Sequence, residues 1–103
     1  MSKLKCNCSV RESVELAPGV FSLWLLAPDI VSQAVPGQFV SLYCGERDRL
    51  LPRPISICEL DAGKGLLRLV FRVVGAGTKE FSALSAGDTV EVLGPLGNGY
   101  VRE

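Results

Sequence analysis

Residues 66–78 read LLRLVFRVVGAGT, and this run decides the fold class. Along a strand, successive side chains point to opposite faces. Leu67, Leu69, Phe71 and Val73 therefore share one apolar face, while Arg68, Val70, Arg72 and Val74 share the other. The first face reads as core. The second carries two arginines four residues apart, a local positive patch. Gly75-Ala76-Gly77 ends the strand. Thr78 then offers an N-cap and Glu80 falls in a first helical turn, where the helix dipole favours negative charge. Phe81 and Leu84 would share a face, so TKEFSAL, 78–84, is the one stretch that predicts a short helix.

The same reading extends in both directions from this strand. Upstream, Ala62 to Gly65 is a turn with two glycines, preceded by a strand from Leu51 to Leu60. Pro52 and Pro54 remove two ladder donors at its start, so that start is expected at an edge or out of the sheet. GERDR, 45–49, reads as a solvated hairpin tip. In QFVSLYC, Phe39, Ser41 and Tyr43 alternate with Val40, Leu42 and Cys44. In VFSLWLL, Phe21, Leu23 and Leu25 alternate with Val20, Ser22, Trp24 and Leu26. Pro18-Gly19, Pro28-Asp29 and Pro36-Gly37 punctuate these runs. Residues 5–16 are rich in β-formers, and Thr89 to Leu93 is a last strand after Ala86-Gly87-Asp88. Six short strands and one small helix predict an all-β chain closed into an antiparallel barrel. No βαβ alternation occurs, and there is no internal repeat or low-complexity run.

Composition narrows what such a barrel does. At 103 residues it is one domain, long enough for one core. Hydrophobic residues make up 48%, which excludes a disordered tail. Eleven Lys+Arg balance eleven Asp+Glu, so the basic surplus of a nucleic-acid binder is missing. The absence of histidine removes Ser-His-Asp and Cys-His catalysis and His-ligated metals from these residues. No apolar run approaches the ~20 residues of a membrane span, and MSKLKCNCSVRESVEL lacks the apolar stretch of a secretory signal. The expectation is a cytoplasmic protein with neither a nucleic-acid nor a membrane partner. Its four cysteines then read as free thiols; Cys6-x-Cys8 with the isolated Cys44 and Cys58 is not a metal-ligand pattern, and no metal site is expected.

Two segments remain for chemistry. Arg53-Pro54-Ile55-Ser56-Ile57 places a guanidinium suited to phosphate between two stiffening prolines, with a short hydroxyl and a backbone N–H at Ser56. The Gly75-Ala76-Gly77-Thr78 turn ahead of a helix start lets backbone N–H groups approach an anion. Alone, the first reads more readily as a proline-bounded strand with an exposed arginine, and the second as a glycine-rich turn with an N-cap. Together they suit a ligand with an aromatic head and a pyrophosphate, the outline of a flavin dinucleotide.

R-P-I-S-I-C, then a strand ending in Phe-Arg, then G-x-G-T-x-x-F, then G-P-L-G-N-G, preceded by LAPGVFSLWLLAP and PGQFV, resembles one family across essentially the whole chain. The family it resembles is that of the electron transfer subunit of NAD-linked (class 1B) dihydroorotate dehydrogenase, within the ferredoxin–NADP reductase-like superfamily. The resemblance implies a six-stranded antiparallel Greek-key barrel over 1–103 that binds FAD, with no catalytic side chain of its own. It carries Arg53 toward the phosphates, Pro54 and Ile55 with it, and Ser56 toward the reactive edge of the ring. Val70, Phe71 and Arg72 form the next contact run, and Gly77 and Thr78 hold the pyrophosphate through their backbone. Ile55 stands where related reductases stack a tyrosine, and Phe71 where many carry a tyrosine hydroxyl.

The family's 2Fe-2S cluster and NAD sites belong to parts that follow Gly94–Gly99 there, and the 103 residues hold neither. The chain is therefore expected to be a fragment or truncated product, an incomplete enzyme. The implied partner is the catalytic dihydroorotate dehydrogenase subunit, joined in a heterotetramer. In that role electrons from dihydroorotate reach this FAD through the cluster and pass on to NAD, in pyrimidine biosynthesis. Two alternatives stay open: the flavin barrel of another reductase, ferredoxin–NADP or sulfide-linked, and a docking scaffold that holds no flavin.

Overall fold

A computed structural model describes residues 4–35, 37–43, 53–74 and 81–97, with Leu4 and Arg53 described by backbone alone. Six strands form in chain order: β1 (Leu4–Ala17), β2 (Val20–Leu26), β3 (Phe39–Tyr43), β4 (Arg53–Asp61), β5 (Leu66–Arg72) and β6 (Thr89–Leu96). They close into a barrel in the order β1-β2-β5-β4-β3-β6, every pair antiparallel. Strands β3, β4 and β5 follow one another as neighbours, and β6 returns beside β3. That return is the Greek key, and closure leaves no continuous edge to seek a partner.

The period-two faces fall as the sequence predicts. Leu23 and Leu25 of β2, Val40 and Leu42 of β3, and Leu67 and Leu69 of β5 are fully buried, with Ile57, Val92 and Phe81 beside them. Each fully buried aliphatic side chain contributes about 1.5–3 kcal/mol. On β1 the buried face runs through Cys8 and Val10. A bulge between Val10 and Glu12 then shifts the register, so Ser13 comes to oppose Leu23.

Two elements differ from the sequence reading. Pro28-Asp29 does more than interrupt a strand: Pro28–Val31 makes a helical turn, α1. Proline suits a first helical position, Asp29 sits in the first turn, and Ile30 and Val31 are buried. Of the predicted 78–84 helix, Phe81 and Ser82 are helical, and residues 78–80 lie outside the described set. The last strand also continues beyond Leu93 to Leu96 and includes Pro95. A register shift against β3, between the pairs Phe39↔Leu96 and Ser41↔Leu93, accommodates it, since proline is tolerated in sheets at such irregularities. Gly94 is required there by space: a Cβ would lie 2.7 Å from Val40 Cγ1.

Candidate functional site

The pairing of β4 and β5 builds the site. Their ladder runs from Asp61↔Leu66 to Ile57↔Leu69 and goes no further among the described residues. Beyond that point β4 continues on β3 alone, from Phe39↔Ser56 to Leu42↔Arg53. Likewise β5 continues on β2 alone, from Ser22↔Val70 to Val20↔Arg72. The segments Arg53–Ser56 and Val70–Arg72 therefore lie on the two sides of a break in the β4–β5 ladder, a slot between the two strands. The first is a segment that the sequence singled out, the second the contact run that the resemblance implies, and they come to the two sides of one slot.

The backbone of the slot has a definite polarity. The Ile57 N–H donates to Gln38 O at 2.8 Å, toward β3. Backbone groups alternate sides along a strand, so Ser56 and Pro54 turn theirs the other way, toward the slot. On the facing strand the Val73 N–H donates to Gly19 O at 2.8 Å, toward β2, so Val70 and Arg72 turn theirs toward the slot as well. Proline suits position 54 for this reason: its missing donor falls where no β4–β5 ladder runs. The expectation that this end of the strand leaves the sheet holds on its β5 side, while Pro54 still pairs with Ser41 on the other.

Side chains divide by the same alternation. Pro54, Ser56 and Arg72 are exposed and Val70 is half-buried, so these four form the outer rim. Ile55 and Phe71 turn inward, each only 7% exposed, and close the slot from beneath. Phe71 stacks on Phe21, its cross-strand partner, with centroids 5.9 Å apart and an 18° interplanar angle. Gly77 and Thr78 lie outside the described residues. A surface hollow lined by Leu26, Pro28, Val31 and Gly65 lies at the other end of β5 and shares no residue with the slot.

The charge pattern departs from the sequence reading at one residue. Arg68 and Arg72 do not form a joint positive patch. Arg68 Nε donates to Ser22 Oγ at 2.9 Å, and its Nη1 meets Glu59 Oε1 at 3.2 Å. This neutralises Arg68 and satisfies Ser22, which is only 4% exposed. Arg72 is exposed, with no ion-pair partner among the described residues. Sequence reasoning missed Ser22 and Glu59 because both lie on other strands, at a register only the fold supplies.

Cys6, Cys8 and Cys58 are free, and Cys58 is exposed on β4 two residues past Ser56. Burial, with a smaller contribution from the neighbouring Cys6, pushes the Cys8 thiol from 9.0 up to about 12. No group of three or more potential metal ligands occurs among the described residues. No helix among them is long and apolar enough to cross a membrane.

Comparison with known proteins agrees with this fold. The family model described as the oxidoreductase FAD-binding domain matches residues 5–100. The chain belongs to that family. Among curated relatives, the electron transfer subunit of dihydroorotate dehydrogenase B (NAD(+)) from Desulforamulus reducens is 51% identical over 86 residues, 82% of this chain and 33% of that one. Its counterpart from Fusobacterium nucleatum is 38% identical over 95 residues, 91% of this chain and 37% of that one. The chain thus spans about a third of the length of these relatives. Among solved structures, an NADH-dependent reduced ferredoxin–NADP oxidoreductase studied for flavin-based electron bifurcation superposes with a TM-score of 0.85 at 35% identity, over 91% of this chain and 34% of that one. The cytochrome b5 reductase domain of Ulva prolifera nitrate reductase shares the fold, with a TM-score of 0.77 over 96% of this chain and 43% of that one, at 18% identity.

FAD is the cofactor of this FAD-binding domain family, and the slot suits it. The rim offers backbone donors and acceptors outside the ladder, a hydroxyl at Ser56 and, at Arg72, a guanidinium with no ion-pair partner among the described residues. The side chains beneath it, Ile55 and Phe71, are apolar.

Proposed function

We propose that this chain is the flavin-holding barrel of an electron transfer subunit serving an NAD-linked dihydroorotate dehydrogenase. The observation that carries the reading is the arrival of Arg53–Ser56 and Val70–Arg72 on opposite sides of one break in the β4–β5 ladder. The curated relatives with that name support it, at 38–51% identity over most of the chain. When bound, FAD supplies the exchange between two-electron and one-electron carriers.

The protein's part is binding and orientation. Arg53 and Arg72 offset phosphate charge, and Gly77 and Thr78 take the pyrophosphate through backbone groups. Ser56 offers its hydroxyl and N–H to the polar edge of the ring. Val70, Phe71, Pro54 and Ile55 set the shape of the slot. The catalytic dihydroorotate dehydrogenase subunit is the partner, in a heterotetramer formed in the cytoplasm.

Titrating the purified chain with FAD and with FMN, followed by quenching of flavin fluorescence, tests the reading. Saturable uptake of FAD at one per chain supports it. A colourless protein that takes up neither flavin overturns it and leaves the docking scaffold. The 35% identity to the ferredoxin–NADP oxidoreductase favours a second reading, the flavin barrel of such a reductase. Copurification with a dihydroorotate-oxidising subunit, rather than with ferredoxin, separates the two.

A further inference from the structure

Gln38 is one of two buried polar side chains among the described residues, 6% exposed, and it makes hydrogen bonds in three directions. Its Oε1 accepts from the Val35 N–H at 2.9 Å, and its Nε2 donates to Gly97 O at 2.8 Å, across 59 residues of chain. Its own C=O accepts from the Ile57 N–H at 2.8 Å, immediately after Ser56. A buried carboxamide is costly unless both ends are bonded, and here each end is. The neighbouring Phe39 pairs with Ser56 on one side and Leu96 on the other. Gly97 lies so close to the Phe39 ring that a Cβ would sit 3.1 Å from it, and its φ of +84° disfavours any other residue. One short path thus runs from Gly97 through Gln38 and Phe39 to Ser56 and Ile57.

We infer that Gln38 is a positioning residue: it locks the segment at the end of β6, Gly94–Gly97, to the slot, so that Gly97 is held at a fixed place relative to Ser56. Its functional meaning rests on the flavin reading above, while the lock itself is a property of the chain without ligand. The partners that reach Gln38 are backbone groups of Val35, Ile57 and Gly97, none of which titrates.

Gln38→Glu in the isotope-labelled chain tests it by NMR. The protonated carboxyl can donate to Gly97 O while accepting from Val35, whereas the carboxylate can only accept. The amide signals of Gly97, Ser56 and Ile57 are expected to shift together with one shared midpoint in this variant. At the acid end they should match the wild-type chain, whose signals stay flat through that range. FAD affinity, measured in the same samples, should fall several-fold through the same midpoint. A Gly97 signal that titrates while Ser56 and Ile57 stay still overturns the lock. Should that variant fail to fold, the wild-type chain must show a nuclear Overhauser contact between the Gln38 carboxamide protons and Gly97, and its absence overturns the lock. In Gln38→Met, which makes neither side-chain bond, Ser56 must likewise move from its wild-type position. Wild-type FAD uptake decides the flavin reading separately: signals that move together in a chain that takes up no FAD support the lock and sink the flavin reading.

Discussion

Ser56 and Val70 stand opposite one another on the first step beyond Ile57↔Leu69, where the β4–β5 ladder has stopped. Both turn their backbone groups toward the gap, and neither side chain enters the core. A residue so placed can be changed with little effect on the barrel, so a loss on substitution reports on a ligand. Ser56→Ala is expected to leave the urea midpoint of the ligand-free chain unchanged, because surface substitutions of this kind stay within about 0.5 kcal/mol. The same variant should slow reduction of bound flavin more than it weakens retention, and Arg53→Ala should do the reverse. Stopped-flow absorbance with a chemical reductant, beside a fluorescence titration, checks both. Equal effects of the two variants on retention alone would remove these roles.

The two arginines on the outer face of β5 should separate in function. Arg72 is exposed and has no ion-pair partner among the described residues, while Arg68 is held by Ser22 and Glu59. Arg72→Ala is expected to weaken FAD about tenfold, the scale of one charge-assisted hydrogen bond, with little change in stability. Added salt should narrow the difference from wild type, because a charge in water is screened.

Arg68→Ala should show the opposite pattern. It strands the Ser22 hydroxyl, only 4% exposed, without its donor. The expected cost is about 1–3 kcal/mol in folding free energy, the penalty of an unsatisfied buried polar group. Most of this belongs to Ser22, since the Glu59 partner is over half exposed and surface pairs contribute little. Arg68→Ala,Ser22→Ala should therefore recover part of the loss in urea denaturation. A double variant no more stable than the single one would show that Ser22 is not the cause.

What the sequence made legible follows from what is local. The faces of β2, β3 and β5 obey a period of two that needs no knowledge of neighbours, and Leu23, Leu42, Leu67 and Leu69 are buried accordingly. Pro54 announced a strand end that departs from its sheet. The segments holding Ser56 and Val70 were legible as chemistry-bearing runs. Their meeting across one gap was not, because it depends on where two ladders end in a non-local register. The same non-locality hid Glu59 and Ser22 behind Arg68. It also hid the bulge that lets β6 carry Gly94 and Pro95 as far as Leu96. The turn at Pro28 escaped because four residues carry no helical period, and burial of Ile30 and Val31 decides it.

Gly94→Ala tests the closeness of β6 to β3 directly. The added methyl would lie 2.7 Å from Val40 Cγ1, and Val40 is itself fully buried and cannot turn aside. Overpacking of this kind costs about 1–3 kcal/mol. Gly94→Ala,Val40→Ala should relieve the clash while adding a cavity cost, so the pair should be non-additive in urea denaturation. Strict additivity would show that the strands part freely at this point.

Cys8 gives the barrel a predicted sensitivity to alkali. Its thiol is 2% exposed on the inner face of β1, and burial raises its pKa from 9.0 to about 12. In the unfolded chain the thiol loses its proton near 9, whereas in the folded chain it keeps it. Between these values the folded state binds more protons, so stability must fall as pH rises. The contribution is whole below pH 9 and is lost progressively toward pH 12. Urea midpoints measured from pH 7 to 11 should therefore decline above pH 9 in the wild-type chain. In Cys8→Ala the decline should be shallower, from a lower starting stability because a buried side chain is cut back. Thiol reagents add a kinetic check: Cys58, exposed on β4, should be modified quickly at pH 8, and Cys8 only under conditions that unfold the barrel. A Cys8→Ala profile parallel to wild type through this range would show that the buried thiol does not govern the alkaline limb.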